Sequence, residues 1–135
     1  MFDFRSTRAL GVAFVALSLS APVSSAFAGA GDYEFQLVEP ETQASSGTVI
    51  IVRLVDKRSG KPVPDAVIFS TRIDMAPDGM AAMAAPIEAM PSTEPGVYRF
   101  KAGLAMAGGW RLSLAAKVQG ETETVQSQLT VKATP

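Results

Sequence analysis

The feature that most constrains this chain is a strict two-residue alternation running through its last third. Tyr98, Phe100, Ala102 and Leu104 share one parity, while Arg99 and Lys101 share the other. Trp110, Leu112, Leu114, Ala116 and Val118 repeat the pattern against Arg111, Ser113 and Lys117. Val125, Leu129 and Val131 repeat it again. A period of two is the signature of strands with one buried face, and a helix cannot satisfy it. No segment after residue 28 carries a 3.6-residue period. The expected architecture is therefore all-β.

Earlier segments fit the same architecture. Tyr33, Phe35 and Leu37 alternate with Glu34 and Gln36. Residues 48–56, TVIIVRLVD, are rich in β-branched side chains, which favour the pleated surface. Residues 57–62 are turn chemistry, and Pro62 and Pro64 keep the next approach off a central ladder. Ala66 to Ile73 reads as a strand with Val67, Phe69 and Ile73 on one face. Residues 74–86 contain Pro77, Asp78-Gly79 and Pro86 and read as a loop, and residues 87–90 read as a short strand. Glu94-Pro95-Gly96 fits a type II turn. Gly108-Gly109 and Gln119-Gly120 read as turns between strands. About seven strands with regular turns predict an immunoglobulin-like antiparallel β-sandwich.

The first 28 residues are expected to lie outside this domain. Arg5 and Arg8 precede an apolar run over residues 9–23, which leads into Ser24-Ser25-Ala26-Phe27-Ala28. A basic start, an apolar run and an A-x-A ending describe a secretory signal peptide cut after Ala28. The alternative is a retained anchor, but the run falls short of the roughly 20 residues a spanning helix needs. The signal is bacterial in style, so the expected location is the periplasm. Cleavage would leave a domain over residues 29–135 with 10 basic and 12 acidic groups, a net charge of −2.

Composition then removes most chemistry. The chain has no Cys and no His. Cys/His zinc sites, Ser-His-Asp triads and Cys-His nucleophiles are excluded. A formal net charge of −1 leaves no basic footprint for nucleic acid. Neither a phosphate-loop pattern nor a carboxylate pair in an apolar setting is present, so the chain reads as a non-enzyme. An exported chain without Cys has no disulfide staple, and packing alone must hold it.

What remains is sulfur. Five of the six Met fall between Met75 and Met106, in IDMAPDGMAAMAAPIEAMP and LAMAGGW. Parity places Met75 past the end of the Val67–Phe69–Ile73 face. It places Met106 past the end of the Tyr98–Phe100–Leu104 face, so both would emerge at a rim of the sandwich. Met80 and Met83 would sit in the loop covering that opening. A thioether is a soft, neutral ligand that suits Cu(I) or Ag(I) and suits Zn, Mg or Ca poorly. The spacing Met75-x4-Met80-x2-Met83 lets one loop bring three sulfurs to one point. Two other readings stand beside this one: Met also fills apolar gaps, and Met clusters form adaptable partner surfaces. Asp74, Asp78 and Glu88 read as solvated loop carboxylates, because their spacing lacks the calcium-loop signature. Arg72, Arg99 and Arg111 read as outward strand positions, and Trp110 as a core aromatic.

Several pieces together carry a family resemblance. They are Gly60-Lys61-Pro62-Val63-Pro64-Asp65-Ala66, the Met-bearing loop, Pro95-Gly96-Val97-Tyr98-Arg99-Phe100 and Leu104-Ala105-Met106-Ala107-Gly108-Gly109-Trp110. In this order, from Tyr33 to Ala133, the chain resembles the YtkA-like domains, grouped with the FixH-like exported proteins. The resemblance implies a small periplasmic or membrane-tethered β-sandwich of copper handling or heavy-metal efflux. It implies Met75, Met80, Met83 and Met106 as metal-facing positions for Cu(I), with Ag(I) as a mimic, and Met90 as peripheral. Efflux or oxidase-assembly components would be its partners. The chain departs from the pattern in two ways: it has no convincing retained anchor, and Ala interrupts a denser Met-x-Met cluster. The alternative is an immunoglobulin-like interaction module that docks a protein through the same loop and has no metal role.

Overall fold

The computed structural model describes residues 30–135, so the expected signal peptide lies outside the described residues. The described chain is built from ten strands: β1 (Tyr33–Leu37), β2 (Glu41–Gln43), β3 (Ser45–Asp56), β4 (Lys61–Pro62), β5 (Val67–Met75), β6 (Met80–Ala85), β7 (Ile87–Met90), β8 (Val97–Leu104), β9 (Gly108–Lys117) and β10 (Thr124–Thr134). One sheet has the order β1-β3-β8-β7, with β4 added beside β3. The other has the order β2-β10-β9-β5-β6. Every pairing is antiparallel except that of β2 with β10. This is an immunoglobulin-like β-sandwich. No helix among the described residues is long and apolar enough to cross a membrane.

The alternation explains the core. Phe100, Ala102 and Leu104 of β8 are buried, as are Trp110, Leu112, Leu114 and Ala116 of β9. They meet Phe35 of β1, Ile50, Val52 and Leu54 of β3, Ile73 and Met75 of β5, and Val125 and Val131 of β10. Each strand contributes only its inward parity, so the polar residues between them stay wet at no cost to packing.

Three strands go beyond the sequence expectation. β2 and β4 are short edge pieces, and β6 lies where a loop was expected. Ala84 and Ala85 pair with Asp74 and Ile73, so the Ala/Met stretch is drawn onto the sheet edge. Pro86 alone separates β6 from β7, so the chain crosses there from one sheet to the other. The Gly108-Gly109 turn is also corrected. Both glycines already pair with β10, opposite Ala133 and Lys132, and residues 105–107 make the connection.

The expected inward face of β5 is wrong in its first half. Val67 and Phe69 are 64% and 56% exposed. A bulge between Ile68 and Ser70 inserts Phe69 as an unpaired residue against Ala116 and Ala115 of β9. One extra residue reverses the phase of the strand. Ile68 therefore faces in before the bulge, and Ile73 and Met75 face in after it.

The turn at residues 94–97 forms as expected, with Gly96 at φ 75° and the Val97 N–H donating to the Glu94 carbonyl at 3.2 Å. Gly96 lies against Pro62 so closely that a Cβ there would overlap the proline ring. Tyr98 clips the same region. Its hydroxyl donates to the Val63 carbonyl at 2.7 Å and accepts from the Ala66 N–H at 3.1 Å. This pair of bonds fixes the crossover between sheets that leads into β5. Tyr98→Phe leaves both backbone groups without that partner, and the expected loss is about 1–2 kcal/mol, read as a lowered urea midpoint with an unchanged slope.

Candidate functional site

One end of the sandwich gathers most of the methionines. β5 ends at Met75, and the chain turns through a single 3-10 turn, Ala76–Asp78. Pro77 suits the start of such a turn because it has no N–H to satisfy. Gly79 takes φ 75°, which lets the chain reverse, and its N–H donates to the Ala76 carbonyl at 2.9 Å. Met80 then stands directly opposite Met75 across the β5–β6 pair.

A second turn, between β8 and β9, packs against this one. The Asp78 carboxylate accepts the Gly109 N–H at 3.1 Å. Gly108 has φ 142°, and a Cβ on it would overlap the Asp78 carboxylate and come within 2.8 Å of the Met75 methyl. A Cβ on Gly109 would stand 2.9 Å from Pro77. The glycine pair is thus the seat on which the 3-10 turn rests. Met106 lies two residues before Gly108, and its carbonyl accepts the Trp110 indole N–H at 3.1 Å. The core tryptophan thereby holds the backbone of an exposed methionine.

The four sequence-identified methionines occupy different environments. Met75 is fully buried in the core rather than emerging at the rim. Met80, Met83 and Met106 are 38%, 44% and 44% exposed. Met75, Met80 and Met106 come to the same end of the sandwich from three stretches of chain: Met75 pairs with Met80, the Met75 methyl lies against Gly108, and Met106 precedes that glycine by two residues. Met83 is set along the edge strand. β6 pairs with β5 through Met80, Ala84 and Ala85 only, so residues 81–83 arch out of the ladder. Arg72 steadies that arch by donating to the Ala81 carbonyl at 3.0 Å. Met90 is half-buried on β7 in the other sheet, opposite Arg99.

The carboxylates do not form a hard-metal site. Among the described residues, no group of three or more His, Cys, Asp or Glu is placed to hold a metal ion. Glu88 stands on β7 opposite Lys101, and Asp78 is engaged by Gly109. Asp74 corrects the reading of a solvated loop residue, because it is completely buried on the outer side of its sheet. It accepts from Arg72 at 3.0 Å, from the Ala76 N–H at 3.0 Å and from Arg111 at 3.4 Å. The two arginines are therefore more than solvated outward positions, since both roof this carboxylate. A signal was present in the sequence. Arg72 and Asp74 are two residues apart and so share a face of one strand, but ending that strand at Ile73 hid the pair.

Burial pushes the Asp74 carboxyl up. The Ala76 N–H, the Arg72 guanidinium and Arg111 together outweigh it and hold the group below the usual carboxylate value. Its cover consists of partly exposed arginines, so the carboxylate lies just beneath the surface. A depressed folded-state pKa gives stability that is present above the ordinary carboxylate range and is lost as pH falls through the folded value. Stability is expected to decline below about pH 4. Asp74→Asn should flatten part of that decline and lower neutral-pH stability by about 1–3 kcal/mol in urea titrations. Gly108→Ala should separate the two turns and cost about 1–3 kcal/mol, read as a lowered Tm together with a moved Gly109 amide resonance.

Residues 27–115 match the YtkA-like family, a span ending within β9. No curated protein matches the chain. Among solved structures, the crystal structure of the Lin-41 filamin domain is similar at 18% identity, covering 76% of this chain and 92% of that one, with a TM-score of 0.47. The match covers more than half of the chain, and the chain belongs to the YtkA-like family.

Proposed function

We propose that this protein is an exported, non-enzymatic accessory domain that carries a soft monovalent cation, Cu(I) or its mimic Ag(I), on methionine thioethers at one end of its sandwich. YtkA-like membership and the immunoglobulin-like sandwich support the accessory-domain part of this reading. The observation that carries the metal part is that Met75 and Met80 pair across β5 and β6 at the end where the Met75 methyl lies under Gly108, with Met106 two residues before that glycine and Met83 on the adjoining arch. Thioethers stay unprotonated over the ordinary pH range, so such a site would hold its cation without proton competition. Met80, Met83 and Met106 would supply exchangeable donors, and Met75 an inner donor beneath them. Exposed donors on turns are what handover to an efflux or oxidase-assembly component requires. The periplasm is the compartment that this reading implies.

A second reading has its own support. Val67 and Phe69 form an exposed apolar pair on the outer side of β5, away from the methionine end. Such a pair suits a protein-docking module without a metal role.

Ag(I) titration of methyl-labelled protein separates the two. The cargo reading expects the Met80, Met83 and Met106 methyl signals to shift and saturate near one equivalent, with Met90 unmoved. The Met80→Leu/Met83→Leu variant should lose Ag(I) binding and keep its far-UV spectrum. Equal Ag(I) affinity in that variant and the parent would sink the site. Loss of partner capture in Phe69→Ser, with metal absent, would favour the docking module.

A further inference from the structure

The methionines differ sharply in their access to solvent. Met80, Met83 and Met106 are 38%, 44% and 44% exposed, whereas Met75 has no exposed surface. Met90 is half-buried. The chain contains no Cys, so these thioethers are its most readily oxidised groups. Their exposure opens them to small oxygen donors as well as to cations.

We propose that Met80, Met83 and Met106 form an oxidant-responsive set, in which conversion to methionine sulfoxide by a hydroperoxide empties the soft-cation site while Met75 remains a thioether. The inference rests on the cargo reading above. In the reaction a sulfur lone pair attacks the distal oxygen of the hydroperoxide. The S–O bond forms and the O–O bond breaks, and the proton on the distal oxygen passes to the leaving oxygen. For hydrogen peroxide the by-product is water. Sulfur loses two electrons and the peroxide gains them.

The same lone pair serves both reactions. A thioether that has become a sulfoxide offers a hard oxygen in place of a soft sulfur, and its preference for Cu(I) is lost. A bound soft cation engages one sulfur lone pair and draws electron density from the atom, so a ligated thioether is a weaker nucleophile toward peroxide and is oxidised more slowly. The fold limits the damage. The three exposed side chains add a polar oxygen at the surface, where it is solvated. Met75 is kept from the oxidant by its position under Gly108 and within the core. The sandwich therefore survives a change that disables its end.

The test treats the full chain with hydrogen peroxide, with and without Ag(I), and maps oxygen addition by peptide mass analysis. Met80, Met83 and Met106 should gain oxygen roughly tenfold or more faster than Met75 in the folded protein, and all should react alike in urea. Far-UV and near-UV spectra should be retained after oxidation. Ag(I) should slow oxidation of the three and leave Met90 unaffected. The oxidised protein should no longer titrate with Ag(I), and methionine sulfoxide reductases should restore the titration. Folded-state oxidation of Met75 at the rate of the others would overturn the proposal. So would an oxidised protein that binds Ag(I) as the untreated one does, or binding that reduction fails to restore. If the untreated protein does not bind Ag(I), the cargo reading itself fails, whereas the oxidation map taken without Ag(I) tests separately whether the three exposed methionines react ahead of Met75.

Discussion

Two inward faces pressed together hold this molecule, because it has no covalent alternative. With no cysteine in the chain, the sandwich relies on Phe35, Leu54, Phe100 and Leu104 of one sheet meeting Ile73, Leu112, Val125 and Val131 of the other. Each of these side chains is buried because its strand alternates, and each strand can alternate because its polar partners point to water. The Tyr98 clip then fixes how the chain passes from one sheet to the other at the Pro62–Ala66 crossover.

The methionine end is a consequence of that packing. β5 and β9 are neighbours in one sheet, so the turn leaving β5 and the turn entering β9 lie side by side. Two glycines without Cβ atoms let them approach, and the Asp78–Gly109 hydrogen bond joins them. On the outer side, Asp74 draws in Arg72 and Arg111, and Arg72 reaches on to the β6 arch. The exposed thioethers thus stand on a braced support, with turns and edge strand tied to the core by named bonds. Such a support restricts where the sulfurs can go without covering them.

The legible parts of the chain were those where a local rule met no competitor. The alternation over β8, β9 and β10 gave inward and outward residues correctly, because long antiparallel strands have no register freedom once one face is apolar. The Glu94-Pro95-Gly96 turn was legible because φ at Gly96 admits few other residues. β5 was misread in its first half because a bulge at Phe69 carries no composition signal of its own. It arises from the pairing with Ala115 and Ala116, which the β5 residues do not contain. β6 was missed for a related reason. Ala and Met have weak strand preference, and only the free edge of β5 makes residues 80–85 a strand.

By itself the sequence determined the all-β class, the buried parity of most strands, and the exclusion of thiol and imidazole chemistry. These follow from side-chain period and from which atoms are present, and neither depends on the path of the chain. Tertiary structure decided that Met75 is a core residue while Met80, Met83 and Met106 remain accessible, and that Asp74 is a buried ion held by two arginines. Those outcomes depend on which strand ends become neighbours and where a bulge reverses phase. Both are set by contacts between residues far apart in the chain, which no local pattern encodes.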